Sequence, residues 1–399
     1  MLIRILANAA LALTLAQSVA MGQTACGNTK LVCLIPTALH TTSSTFNFFN
    51  TAFGTQVTQL PLPSMASGFL FTFDKSTGVY AQSQQSFGPV LTERAETIGR
   101  GKAYFSVNYQ RFSFSQIDNN DLKNLPILFY FPSSQNPQVI TNPTTRVSST
   151  MNQYVAAGTF GLTNRLDASI AVPFSRVSLG VGSQGTEYST ISNATAHFSE
   201  YLPGAASGAG DVIFSAKDRI LMREKFDLAI GGEWRLPSGD AENFLGSGAY
   251  GLKPYLIVSR RGRVTPHLVL AYQWNSHSIL ATNVMGHRDL LPGFFAYNAG
   301  ADIGATKRVT VTADFLGQLF FNAPQVSTPK TVTVQVNNAP QSFNTIVQEN
   351  GSYTTGNLGL GVKANPWNNV LITANVALKL NNAGLRATAV PLIGISYSF

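Results

Sequence analysis

The chain has 399 residues, of which 12% are charged, with a formal net charge of +8. Soluble domains usually carry about 25% charged residues, so this composition argues against an ordinary cytosolic domain, and the absence of any block of like charge argues against nucleic-acid binding. No apolar stretch after the N-terminus approaches the roughly 20 residues a membrane-spanning helix needs, which excludes a helical membrane protein.

The first residues read as a secretory signal over 1–22: Arg4 supplies the positive start, Ile5 to Val19 the apolar core, and Ser18-Val19-Ala20 or Ala20-Met21-Gly22 a small-residue cleavage site. Lipidation at Cys26 is disfavoured because Gln23 stands where that signal usually has an aliphatic residue. Cys26 and Cys33 are the only cysteines, and in an oxidising compartment they are expected to form one small disulfide loop. Residues 23–98 are expected to be an N-terminal extension placed to plug a lumen. Leu60-Pro61-Leu62-Pro63 breaks any ladder there, and only Phe69 to Phe73 and Val79 to Gln82 resemble strands.

From 99 to 399 the chain shows two-residue alternation in stretches of about ten residues, the pattern of a membrane β-barrel. Expected strands are Lys102–Ser113, Met151–Leu162, Leu166–Phe174, Asp211–Ile220, Phe226–Leu236, Tyr250–Ser259, Thr265–Asn275, Phe294–Gly304, Val309–Phe321, Thr354–Ala364, Val370–Leu380 and Arg386–Phe399. In Val370–Leu380, for example, Ile372, Ala374 and Val376 share one face, and Thr373, Asn375 and Lys379 the other. Short turns such as Arg261-Gly262-Arg263 and Thr306-Lys307-Arg308 alternate with long connections. The fold expected is therefore all-β: an antiparallel up-and-down transmembrane barrel of about twelve strands. A soluble β-sandwich is the alternative, since sandwiches also alternate.

Two long connections stand out. Leu122–Val147 carries the apolar run Leu125 to Phe131, which must be buried, and Ala323–Ser352 holds a candidate hairpin, Val332–Val336 with Phe343–Val347. Gly204 to Gly210 reads as loop glycines with no phosphate-binding Lys-Ser/Thr after them. The last strand places Ile393, Ile395, Tyr397 and the terminal Phe399 on one face. Ile395, Tyr397 and Phe399 resemble the C-terminal signature by which outer-membrane barrels meet their assembly machinery.

The inward positions expected to line the lumen are Asp167, Asp211, Lys217, Arg219, Asp227, Glu233, Arg235, Lys253, His267, Asp302, Asp314, Lys363 and Lys379. Charges avoid the lipid face because Lys or Arg at the bilayer midplane costs about 2–4 kcal/mol. A salt-bridged lining that stiffens the wall and a lining that recognises solute both fit this set. No catalytic constellation emerges: His197-Phe198-Ser199 pairs His with a hydroxyl but lacks a nucleophile elbow. No His-x-His or His-Glu-x-x-His spacing marks a metal, and nothing calls for a cofactor.

From Gly208 to Trp274 the residues Gly208-Ala209-Gly210-Asp211-Val212, Ala216-Lys217, Arg219, Leu236-Pro237-Ser238-Gly239-Asp240-Ala241, Leu245-Gly246-Ser247-Gly248 and Tyr272-Gln273-Trp274 stand in a pattern. It resembles the MetA-pathway phenol-degradation family of outer-membrane channel-like proteins. Asp218 departs from it, standing where such proteins often carry a lipid-facing aromatic. The resemblance implies an outer-membrane channel or transporter-like barrel passing small solutes, aromatic or apolar ones among them. Its expected partners are outer-membrane lipid and lipopolysaccharide, the barrel-assembly machinery and a small-molecule solute, with no nucleic acid. A structural or adhesive barrel acting through its loops, and less readily a barrel-borne hydrolase, are the alternatives.

Overall fold

In a computed structural model, residues 30–38, 47–65, 71–74, 79–82, 86–127, 129–130, 139–189, 195–282, 288–336, 339–367 and 369–399 are described. Twelve antiparallel strands form the wall: β1 (Ala103–Ile117), β2 (Val139–Gly161), β3 (Leu166–Ser189), β4 (Ile213–Met222), β5 (Phe226–Arg235), β6 (Gly251–Arg260), β7 (Val264–Asn275), β8 (Phe294–Thr306), β9 (Val309–Val326), β10 (Gln348–Trp367), β11 (Val370–Lys379) and β12 (Ala389–Ser398). Each pairs with its chain neighbours, and β12 returns to β1, with Ile395 opposite Val107 and Tyr397 opposite Phe105. The sheet is thus closed, leaving no edge within the wall, which a lipid environment demands because it offers backbone groups no other partner.

Alternation sets the two faces. Phe105, Tyr154, Phe160, Phe174, Phe214, Trp234, Leu252, Trp274, Ile303, Val362, Ile372, Ile393 and Ile395 are exposed and outward, while Ser106, Thr159, Asp167, His267, Asp302, Asp314 and Thr373 are buried and inward. An exposed apolar band rimmed by aromatics over a polar interior is the surface of a membrane-spanning barrel. No described helix is long and apolar enough to cross a membrane. Asp218 is exposed on the outward face opposite Ile230 and Leu166, close to the turn that follows β4.

The two ends of the wall and its short turns share one rim: β2–β3, β4–β5, β6–β7, β8–β9 and β10–β11 are joined there by two to four residues. Longer connections gather at the other rim, and here the structure departs from the sequence reading. β2 and β3 run on together to Val139 and Ser189, well past the boundaries expected, so the connection from Leu122 to Val147 is strand from Val139 onward. Gly204 and Gly208 are not loop glycines, because Thr195–Ala209 is a strand pairing with the outer half of β3. At Gly204 a Cβ would stand 2.6 Å from Leu34, so the missing side chain lets an N-terminal helix lie against this strand. The hairpin in the β9–β10 connection forms as Lys330–Val336 against Ala339–Thr345.

Among the described residues two α-helices precede the wall, α1 (Leu34–Ala38) and α2 (Asn47–Val57). Alternation has no purchase on them, and they were not anticipated from sequence. Within α2, Phe53 is fully buried and meets Phe244 and Phe114 edge-on, with ring centroids 5.1 and 6.2 Å away. The apolar run of the β1–β2 connection finds its burial in the same cluster through Leu122, Leu125 and Ile127. Strand segments Phe71–Asp74 and Val79–Gln82 pair as a short hairpin.

Candidate functional site: an occupied lumen

The N-terminal segment runs through the barrel. At the long-loop rim the Lys30 ammonium donates to Asp240 at 2.8 Å and Leu31 N–H to Asn243 Oδ1 at 3.0 Å. From α2 the chain descends along the inner wall: Gln59 Oε1 accepts from Asn275 (3.1 Å), Pro61 O from Gln110 (3.3 Å) and Met65 O from Thr159 (2.6 Å). Residues 86–98 then cross the half of the lumen nearer the short turns. The segment leaves where Gly101 N–H donates to Gly161 O at 2.8 Å, directly before β1.

The crossing segment takes up six of the thirteen expected inward charges. Asp314, fully buried, accepts from Leu91 N–H at 3.1 Å, Val90 N–H at 3.3 Å, Thr92 Oγ1 at 2.9 Å and faces His267 Nε2 at 3.2 Å. Asp302 accepts from Ser86 Oγ and lies 3.4 Å from Arg94 Nη1. Lys363 donates to the carbonyls of Pro89 (2.6 Å) and Phe87 (3.3 Å), and Lys217 to Arg94 O (3.0 Å) with Glu93 at 3.5 Å. Asp167 accepts from Ile98 N–H at 3.0 Å. Glu93 also receives Ser64 Oγ (2.8 Å) and Met65 N–H (3.0 Å), fastening the descending and crossing stretches together. Buried charges persist in a protein only where paired and hydrogen-bonded, and here the wall and the segment supply one another's partners, with Asp167 Oδ1 and Asp302 Oδ1 left without a hydrogen bond among the described residues.

The remaining expected lining residues have other roles. Asp227 is held by Arg219 at 2.8 Å and by Arg261, closing the wall at the short-turn rim. Glu233 and Lys253 pair across β5 and β6 at 2.6 Å. Asp211 precedes β4 instead of lying on it; its carboxylate accepts from Gly239 N–H (3.0 Å) and Ser247 N–H (2.8 Å), pinning the β5–β6 loop, with Arg235 3.8 Å away. Lys379 donates to Gln116 and to Asn382 (2.8 Å) near the long-loop rim. Cys33 is buried and disulfide-bonded; Cys26 lies outside the described residues. His197, beside Ser199 on the outer strand, faces Thr186 at 3.1 Å, far along the sheet from the lumen charges.

Between segment and wall two cavities remain. The larger, about 1630 Å³ with its open space, is bordered by Glu93, Lys217, Glu233, Arg235, Lys253 and Tyr255. The smaller, about 730 Å³, is bordered by Phe112, Phe114, Leu316, Phe320, Tyr353, Leu392, Asn375 and Arg386. Gln59, Leu60, Pro61 and Leu91 of the segment border both, together with Leu316 and Gln318 of β9, so the segment and one stretch of the wall stand between them. Sequence reasoning missed Ser86, Glu93 and Arg94 and the aromatics of the smaller cavity. The inward parity of Phe112 and Phe114 in β1 was the one signal that could have shown the latter.

The anchor at Lys30 lies outside the membrane span. Its ammonium is raised above the ordinary 10.5, chiefly by its hydrogen bond to Asp240. Burial pushes Asp240 up, but the Lys30 and Asn243 bonds outweigh it and hold the carboxyl below 3.8. A depressed carboxylate contributes stability above its unfolded value and loses it as pH falls through the folded one; a raised ammonium contributes below 10.5 and loses it as pH rises beyond. Amide protection of Leu31–Ala38, corrected for intrinsic exchange, is therefore expected to hold through neutral pH and fall below about pH 4. Asp240→Asn should lower it at neutral pH and flatten the acid dependence; an unchanged profile would remove the anchor from the account.

No protein-family model and no curated protein sequence matches the chain. Among solved structures it is similar to an outer-membrane channel from Pseudomonas putida, at 13% identity over 77% of this chain and 99% of that one, TM-score 0.48. It is also similar to a FadL homologue from Pseudomonas aeruginosa, at 11% identity over 84% and 95%, TM-score 0.31. A third is the toluene transporter TbuX of Ralstonia pickettii, at 10% identity over 79% and 94%, TM-score 0.30. Likenesses this distant leave solute and mechanism to be read from this chain's own residues.

Proposed function

We propose that the protein is an outer-membrane channel for small solutes whose lumen is held closed by its own N-terminal segment, residues 23–98 acting as the plug of a barrel over 99–399. The observation that carries this reading is the partition: one segment, bonded to buried charges on β3, β4, β7, β8, β9 and β10, stands between two cavities inside a closed wall. A bore of twelve strands lies between the filled eight-stranded barrel and the open pores of sixteen or more, wide enough to pass a small molecule once cleared. Acidic and basic lining residues neutralise one another in Lys217–Glu93, Lys253–Glu233 and Arg219–Asp227, so charge selectivity should be weak. The aromatic wall of the smaller cavity supports a solute with an apolar body, in keeping with the phenol-degradation resemblance. Single-channel recording from the full chain and from a chain beginning at Gly99 tests the proposal.

Placement in the outer membrane, with lipid and lipopolysaccharide around the wall, belongs to the same reading, and so does a role for Ile395, Tyr397 and Phe399 in delivery to the assembly machinery. Tyr397 and Phe399 rings meet at 4.6 Å beside the seam that closes the barrel. Deleting Phe399 is expected to lower the fraction of chains reaching a heat-modifiable form in cells severalfold. Equal yields from both chains would remove the signal.

A further inference from the structure

The smaller cavity contains polar groups that the protein leaves unanswered. Asn375, inward on β11 and 7% exposed, has neither Oδ1 nor Nδ2 bonded among the described residues. Arg386, 5% exposed, donates from Nη2 to Gly356 O (2.6 Å) and Asn357 Oδ1 (2.8 Å). Its Nε is buried without a partner, and it makes no ion pair with a carboxylate among the described residues. Native proteins rarely leave buried amides unsatisfied, and a buried guanidinium without an anion is costlier still. Both residues border a space that Phe112, Phe114, Phe320 and Tyr353 also line, beside Gln110, Gln318 and Thr355; Phe320 and Tyr353 stack at 4.9 Å and Phe112 and Phe114 at 5.9 Å.

Register sets the two groups apart along the wall. Asn375 lies opposite Gly361 on β10, whereas the Arg386 guanidinium bonds at Gly356 and Asn357, four to five residues nearer the long-loop rim. At about 3.3 Å per residue that is roughly 13–16 Å between backbone positions, less whatever the two side chains reach. From these features we infer that the cavity binds a small aromatic carboxylate, its anion on Arg386, its ring among the four aromatics, and a distal hydroxyl on the Asn375 amide. A hydroxyl both donates and accepts, which answers the two idle atoms of Asn375 together. A carboxylate is the anion of choice for a guanidinium because its two oxygens match the spacing of the N–H donors. Gln59 and Pro61 of the plug form part of the same enclosure, so a bound acid would also touch the element that closes the lumen.

This inference deepens the channel reading and rests on it, and the test separates the two. The full chain, refolded in detergent and checked for heat-modifiable mobility, is titrated calorimetrically with para-hydroxyphenylpropanoate, with its neutral amide, and with phenylpropanoate. The hydroxy acid is expected to bind about ten-fold or more tightly than the amide. Arg386→Gln should erase that preference and Arg386→Lys keep part of it, while Asn375→Leu weakens the hydroxy acid but not phenylpropanoate. Equal binding of acid and amide by the unaltered chain overturns the inference without recourse to any variant. Absence of acid binding by a protein whose Gly99 chain conducts overturns the site and spares the channel; binding by a protein that never conducts does the reverse.

Discussion

A chain beginning at Gly99 is expected to conduct in a planar bilayer at a level about ten-fold or more above the full chain, whose lumen the N-terminal segment occupies. The expectation follows from the partition. Gln59, Leu60, Pro61 and Leu91 border both cavities, beside Leu316 and Gln318 of β9, and removing the segment takes away its share of that boundary together with residues 86–98, which cross the other half of the lumen. The wall should survive the loss, because its ladders run without interruption from β1 round to β12 and involve no residue before Ala103. Asp302, Asp314, His267 and Lys363 would exchange the partners they now find in residues 86–98 for water, which a cleared lumen supplies. Current from the shortened chain alone identifies the segment as the plug. Silence from both, with each shown folded by its mobility on gels, would sink the channel reading and favour a barrel that acts through its surface loops.

The second large effect is expected at Asp314. Its carboxylate gathers two backbone N–H groups, a hydroxyl and an imidazole at a site with no exposure to solvent. Asp314→Ala leaves all four without that acceptor and strands His267 between Thr92 and Asp302. Removing one member of a buried charged network typically costs about 3–5 kcal/mol, and that magnitude is expected in denaturant unfolding of the full chain. Asp314→Asn retains one acceptor oxygen and should cost less. Because the lost bonds join wall to plug, amide exchange across residues 87–98 should quicken more than exchange in the wall. A variant as stable as the parent, or one loosened uniformly, would show that Asp314 does not hold the segment.

Twelve strands were legible because each wall residue faces either lipid or lumen, and that choice is written at a period of two. In β11, Ile372, Ala374, Leu371 and Thr373 fall on the faces their spacing predicts. Strand ends were less legible. Beyond Met151 and Phe174 Ser, Thr and Gly stand on both faces, so alternation fades although β2 and β3 continue. Helix α2 was invisible for a related reason: enclosed on most sides, Asn47–Val57 needs no polar stripe and shows no helical amphipathicity. The inward charges could be listed from parity alone. What parity could not give was their destination, since Asp314 meeting Leu91 and Lys363 meeting Pro89 join positions more than two hundred residues apart. Asp211 stands two residues before β4, where its carboxylate serves a turn, and it borders the larger cavity.

The course of the N-terminal segment also constrains how the molecule can be put together. A chain that enters at one rim, held there by Lys30 and Asp240, and leaves at the other beside Gly161 is a thread through a ring, and the ring is closed by the seam between its first and last strands. Since the last strand is also the last to be synthesised, the thread must either lie in place before the seam zips or be fed headfirst through a finished ring. The second route admits only something narrow. A folded domain fused ahead of Lys30 would have to be gathered inside the open sheet before closure, whereas the same domain carried on a long loop would meet no such obstacle.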